Sequence, residues 1–139
     1  MLIGAVVADA NVLLSAVIGK AAQAVFSKYR LEVHVTEFNA LEVEEYLPFM
    51  GKKYGLPPDL LALRWKILPL SIHTRSEYAG HLKKALAELR SRDPEDAHVM
   101  AIAGALGFPL WSNDRHLSGC RIPCYTTAQL LRMLEAQQR

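Results

Sequence analysis

The chain has 139 residues, 51 % of them hydrophobic and 22 % charged, which is the balance of a soluble globular domain. That excludes intrinsic disorder, because enough apolar surface is present to offset the entropy of ordering the chain. With 16 basic and 14 acidic residues the net charge is +2, too small to attract a polyanion by a global field, so any such partner must be met by local groups.

At this length a fold buries roughly 68–70 % of its unfolded surface, and a core forms without a disulfide or structural metal. No apolar run reaches the roughly 20 residues of a bilayer span. The opening MLIGAVVADANVLLSAVIGK comes nearest. Asp9 and Asn11 interrupt it and no basic stretch leads it, so it reads as core rather than as signal peptide or anchor, and a cytoplasmic location with no membrane contact is expected. Cys120 and Cys124 match neither a zinc site nor a Cys-x-x-Cys redox motif and read as free thiols.

In chain order, LIGAVVA (2–8) is a short, continuous apolar run of the kind that forms a strand buried on both faces. Beyond Asp9 the pattern turns helical through VLLSAVIG, and AAQAVFSKYR continues it past Gly19. EVHVT (32–36) is a compact strand. Asn39 then predicts a helix cap, with Glu42 at capping-box spacing, and the helix through EVEEYLPFMGKKYGL is expected to kink or break at Pro48. DLLALRWK is a further helical piece, ILPLSI a strand, and SEYAGHLKKALAELRSR a long amphipathic helix. DPEDAHVMAIAGALG starts with Asp93 as N-cap and Pro94 at the first helical position, and Gly107 closes it. FPLWS and IPCYT are short strands around the turn NDRHLSG, and Thr126 or Thr127 caps the last helix, AQLLRMLEAQQR. Strands alternating with helices, without a linker or repeat, predict one α/β domain over 1–139 with a parallel sheet covered on both faces.

In such a sheet the carboxyl ends of the strands share one edge, where the following helices begin. Asp9 follows the first strand, Asp114 follows FPLWS, and Glu42 and Asp96 sit in the first turns of helices that start at this edge or near it. Four acids from distant segments can therefore converge. Converging carboxylates repel one another and call for a positive partner. Oxygen ligands without a His/Cys cluster suit Mg²⁺ or Mn²⁺ rather than Zn²⁺. Each acid also has a purely structural role open to it: Glu42 and Asp96 can complete capping boxes, and Asp9 and Asp114 can cap the next helix. Glu45, one turn from Glu42, belongs either to a solvated face or to the same site. Asn11, Ser112 and Asn113 are candidate contacts to substrate or metal-bound water, with a turn role equally open to Asn113. Arg115, His116, Lys20, Lys52 and Lys53 read as surface residues, and Trp65 and Trp111 as core or half-buried aromatics.

DANVLLSA, ALEVEEYL, RDPEDAHVMAIA and LWSND, in this order, resemble the four motifs of the PIN-domain family over nearly the whole chain. Ser112 stands where that family often has Thr. The resemblance implies a three-layer α/β/α sandwich around a mainly parallel sheet of about five strands. It also implies an Mg²⁺- or Mn²⁺-dependent endoribonuclease, with metal held by Asp9, Asp96 and Asp114 and with Glu42 assisting. Small prokaryotic members are often toxins held by an antitoxin and often form homodimers. The alternative is a non-catalytic RNA- or protein-binding module on the same fold. A metal-dependent phosphatase of another α/β fold fits less well, since Asp9 is followed by Ala10 and Asn11 rather than by the Asp-x-Asp of such enzymes.

Overall fold

Val6, Val7 and Ala8 are all fully buried, which only a strand covered on both faces can achieve. They lie in β1 (Ala5–Ala8), the middle of a sheet whose order is β3-β2-β1-β4-β5. Its other strands are β2 (Glu32–Thr36), β3 (Leu70–His73), β4 (Leu110–Trp111) and β5 (Cys124–Tyr125). Every pairing is parallel, with Val7 opposite His34 on one side and Leu110 on the other. The computed structural model describes residues 2–89, 96–114, 117 and 121–138.

Seven helices are present among the described residues: α1 (Ala10–Val17), α2 (Gln23–Lys28), α3 (Glu37–Tyr54), α4 (Pro58–Ile67), α5 (Arg75–Leu89), α6 (Asp96–Leu106) and α7 (Thr127–Gln137). The period-two alternation of the strands sorts the core into two layers. Val6, Ala8 and Trp111 pack with side chains of α1 to α4 and α7, whereas Val7 and Leu110 pack with those of α5 and α6. Right-handed crossovers explain the division. The chain steps outward from β1 to β3 with α1 to α4 on one face, and the return to β4 carries α5 and α6 across the other. The result is the expected three-layer α/β/α arrangement.

Three local expectations are corrected. The helix expected to start at Asn39 starts at Glu37, because the chain turns directly out of β2. Thr36 is the N-cap and its Oγ1 accepts from the Asn39 backbone N–H at 3.0 Å. Asn39 therefore sits at the third helical position. Pro48 does not break α3, which runs on to Tyr54. Pro48 and Glu44 both lie on the exposed side, so water can take up the carbonyl of Glu44 that a proline cannot bond. Gly55 closes the helix at φ 65°, a conformation that glycine adopts without strain. The strand expected from Ile67 is also displaced: Ile67 ends α4, and β3 begins at Leu70. The predicted cap of α6, Asp93 with Pro94, lies outside the described residues. At the C-terminus Thr126, not Thr127, is the cap, in a full capping box with Gln129.

Candidate active site

The strand order reverses at β1: β2 and β3 lie to one side and β4 and β5 to the other. In open parallel sheets such a reversal leaves a crevice at the carboxyl ends of the strands, because the helices diverge there to opposite faces. Asp9 stands one residue beyond β1, and Asp114 three beyond β4, on the two sides of that crevice. Glu42 comes from α3 and Asp96 from the start of α6. Together with Asn11 and Asn39 these four acids line one cleft of about 120 Å³. No described lining residue is a cation.

Asp9 is fixed on both carboxylate oxygens. Its Oδ1 accepts from the Val12 backbone N–H at 3.0 Å, capping α1, and its Oδ2 accepts from the Ser112 hydroxyl. The Ser112 oxygen accepts in turn from the Asp114 backbone N–H at 3.0 Å, so one hydroxyl ties the ends of β1 and β4 together. Asp9 is only 7 % exposed. Burial is the main reason its carboxyl is pushed above the usual carboxylate range, and the charge of Asp114 acts in the same direction. The bonds from Ser112 and Val12 oppose the shift without cancelling it.

The other side of the cleft is held by α3. Thr36, Asn39 and Glu42 are spaced by three residues and lie on one helical face. The Thr36 hydroxyl donates to Asn39 Oδ1 at 2.8 Å, and Asn39 Nδ2 donates to Glu42 Oε1 at 2.7 Å. Sequence reasoning read Asn39 as a cap and missed it as a site residue. The i, i+3, i+6 series of Thr36, Asn39 and Glu42 was the available signal.

The remaining expectations divide by geometry. Glu42 lines the cleft, whereas Glu45 is exposed on α3 and is not among the described lining residues. Asn11 is exposed at the lip. Ser112 is 1 % exposed, and its hydroxyl holds Asp9 and the Asp114 backbone. Asn113 is drawn away from the cleft, because its Oδ1 accepts from the Thr127 N–H at 2.9 Å at the start of α7. Trp111 is fully buried, and its indole donates to Thr127 Oγ1 at 3.0 Å. Lys20 and Lys53 both place their ammonium groups over the Tyr54 ring. Arg115, His116 and Cys120 lie outside the described residues, and the Cys124 thiol lies 3.9 Å from the Ser112 carbonyl oxygen.

Among the described residues no three His, Cys, Asp or Glu side chains are gathered into a ready-made ligand group. The carboxylates share the cleft without meeting at one point. Their chemistry is nevertheless selective. Several oxygen donors, one of them desolvated, suit a hard divalent cation better than a soft one.

A sequence profile of the PIN domain matches residues 7–135. The chain belongs to the PIN-domain family. No curated protein matches this PIN domain by sequence, but solved structures share its fold. PAE2754 from Pyrobaculum aerophilum superposes with a TM-score of 0.71 at 15 % identity, covering 99 % of this chain and 98 % of that one. A toxin-antitoxin complex from Klebsiella pneumoniae gives 0.63 at 16 % identity, over 88 % of this chain and 97 % of that one. VapBC2 from Rickettsia felis, solved bound to a DNA fragment from its promoter, gives 0.66 at 11 % identity, over 88 % and 98 %. At these identities the likeness is one of fold. Among the described residues of this PIN domain no helix is long and apolar enough to cross a membrane.

Proposed function

We propose that this PIN domain is a divalent-metal-dependent endoribonuclease, acting as the toxin of a toxin–antitoxin pair. One observation carries the reading: Asp9, Glu42, Asp96 and Asp114, from four separate segments, line a single cleft at the point where the strand order reverses. Asp9, Asp96 and Asp114 would hold Mg²⁺ or Mn²⁺, with Glu42 assisting. Such an ion, when bound, supplies an activated water and neutralises charge on the departing oxygen of a phosphodiester.

The chain's own residues do the rest. Ser112 keeps Asp9 in one orientation and sets the start of the Asp114 turn. Asn11, exposed at the lip, would donate a hydrogen bond to a phosphate oxygen of RNA. The structural likeness to toxin-antitoxin complexes supports an antitoxin partner. The exposed Leu41, Tyr46 and Phe49 of α3 and Leu63 and Ile67 of α4 are apolar side chains that such a partner, or a second copy in a homodimer, would cover.

The test is cleavage of fluorescent single-stranded RNA by the purified protein with Mg²⁺ or Mn²⁺, beside Asp9→Asn and an EDTA control. Cleavage lost in both controls is the expected result. Cleavage that survives Asp9→Asn refutes the metal-acid mechanism, and no cleavage across varied RNAs favours a non-catalytic binding module.

A further inference from the structure

We propose that Asn39 is a positioning residue of the acidic cleft, fixing the carboxylate of Glu42 through its side-chain amide; the proposal rests on the metal-site reading above. Asn39 is 5 % exposed, and an amide at that depth is costly unless its polar ends are bonded. Both ends are assigned. Oδ1 accepts from the Thr36 hydroxyl at 2.8 Å, and Nδ2 donates to Glu42 Oε1 at 2.7 Å.

The partners dictate the amide's orientation. Turned over, it would set its carbonyl oxygen against the Glu42 carboxylate, which only accepts when ionised. The Thr36 oxygen also accepts from the Asn39 backbone N–H at 3.0 Å. Asn39 is therefore held at two points before it reaches Glu42. At the third helical position a Glu or Gln side chain ordinarily turns back to the N-cap backbone N–H. Here the amide instead points forward along the helix to Glu42.

This arrangement answers a problem of chain mechanics. Asp9 is braced by Val12 and Ser112 at the end of a buried strand. Glu42 has a longer side chain on a helix face, and each bond to its carboxylate narrows the rotamers it samples. A carboxylate that must meet others at one ion loses effectiveness when its rotamer wanders, since small misplacements are expensive at such sites. Asn39, held by Thr36, supplies one such bond from the rigid junction between β2 and α3.

The experiment is a double-mutant cycle read by Mn²⁺ affinity, using isothermal titration calorimetry on the purified full chain, with RNA cleavage as a second readout. The proteins are wild type, Asn39→Ala, Glu42→Gln and the double variant, with Asn39→Asp and Thr36→Ser as controls. If Asn39 acts through Glu42, Asn39→Ala weakens Mn²⁺ binding about tenfold, in the range typical for loss of a group that orients a ligand. It then adds nothing measurable once Glu42→Gln is present. Asn39→Asp does worse than Asn39→Ala, because it places a second carboxylate against Glu42, and Thr36→Ser retains wild-type affinity. Effects that add in the double variant, or an Asn39→Ala protein that melts lower but binds Mn²⁺ like wild type, overturn the role of Asn39 and leave the metal site standing. A wild-type chain that binds no Mn²⁺ and cleaves no RNA overturns the metal-site reading and this proposal with it.

Discussion

Replacing Asp9 by Asn should remove metal binding and yet leave the metal-free protein as stable as wild type, or more so. The side chain has three jobs: it caps α1, it carries a charge, and its Oδ2 accepts from the Ser112 hydroxyl, a contact an Asn keeps by donating from Nδ2 to the Ser112 oxygen. As N-cap of α1 its Oδ1 accepts from Val12 N–H at 3.0 Å, and an Asn carbonyl oxygen can do the same. Loss of that cap to Ala costs typically about 1 kcal/mol; loss to Asn costs little. As a charge, Asp9 is desolvated and faces Asp114, so its carboxyl is held above the usual range. The folded chain therefore keeps this proton to higher pH than the unfolded chain does. The favourable contribution is complete below the unfolded pKa and is lost as pH rises through the folded one, which leaves a net cost at neutral pH.

Thermal unfolding at pH 7 in EDTA should thus place Asp9→Asn at or above wild type. Asp9→Ala should fall below Asp9→Asn by about 1 kcal/mol, or about 3–5 °C for a chain of this length. Adding Mn²⁺ at about one hundred times its Kd should raise wild type by about 2.7 kcal/mol and the Asn variant far less, reversing their order. An Asp9→Asn protein that melts as low as Asp9→Ala without metal would refute the claim that the charge is a burden. An equal metal-induced shift in wild type and variant would refute the role of Asp9 in binding the ion.

Two further outcomes are expected. Ser112→Ala removes the hydroxyl that Asp9 Oδ2 and the Asp114 N–H share, and should cost about 1–3 kcal/mol in urea unfolding, with Ser112→Thr losing less; a neutral Ser112→Ala contradicts the bridge. The buried His34 is held below the ordinary imidazole value by burial first and by His73 second, against a weaker opposing pull from Glu32. Its Nδ1 lies 2.8 Å from His73 Nε2, and His73 in turn meets Glu77 at 3.3 Å. A depressed histidine stabilises above its unfolded pKa and loses that contribution as pH falls below about 6.5. Stability between pH 7 and 5 should decline, and His34→Gln should flatten part of the slope; His98, also depressed by burial, accounts for another part. An unchanged slope in His34→Gln would remove His34 from that account.

The layers of the fold were legible because strand and helix periods differ, and because LIGAVVA could be buried on both faces only inside a parallel sheet. Asp9 and Asp114 stand after strands and Asp96 at a helix start as expected, whereas Glu42 lies in the second turn of α3 rather than the first. What the sequence concealed was the junction at Thr36. Asn39 followed by Glu42 fits a capping box better than Thr36 followed by Asn39 does, and only the length of β2 overrules it. Strand length is set by pairing with β1 and β3, from Val33 opposite Leu70 to Thr36 opposite His73, and those partners are remote in sequence. The same remoteness left the partner of Ser112 open. Its hydroxyl could orient a neighbouring metal ligand, a metal-bound water or a phosphate, and the carboxylate it meets, Asp9, is 103 residues away.

The small net charge of +2 also takes on a different meaning once the cleft is described. A sum over the surface argued against a polyanionic partner, but the cleft gathers four acids with no cation among its described lining residues, and those carboxylates would repel a phosphate. The two facts are reconciled if the cleft binds a divalent ion, as proposed. A divalent ion among the carboxylates inverts the local field where a phosphate would arrive and leaves the rest of the surface as it was. Recognition of RNA by this PIN domain would then depend on bound metal rather than on a basic face. The burial of Asp9 would be the reason: a carboxylate with little water around it gains more from an ion than one at the surface does.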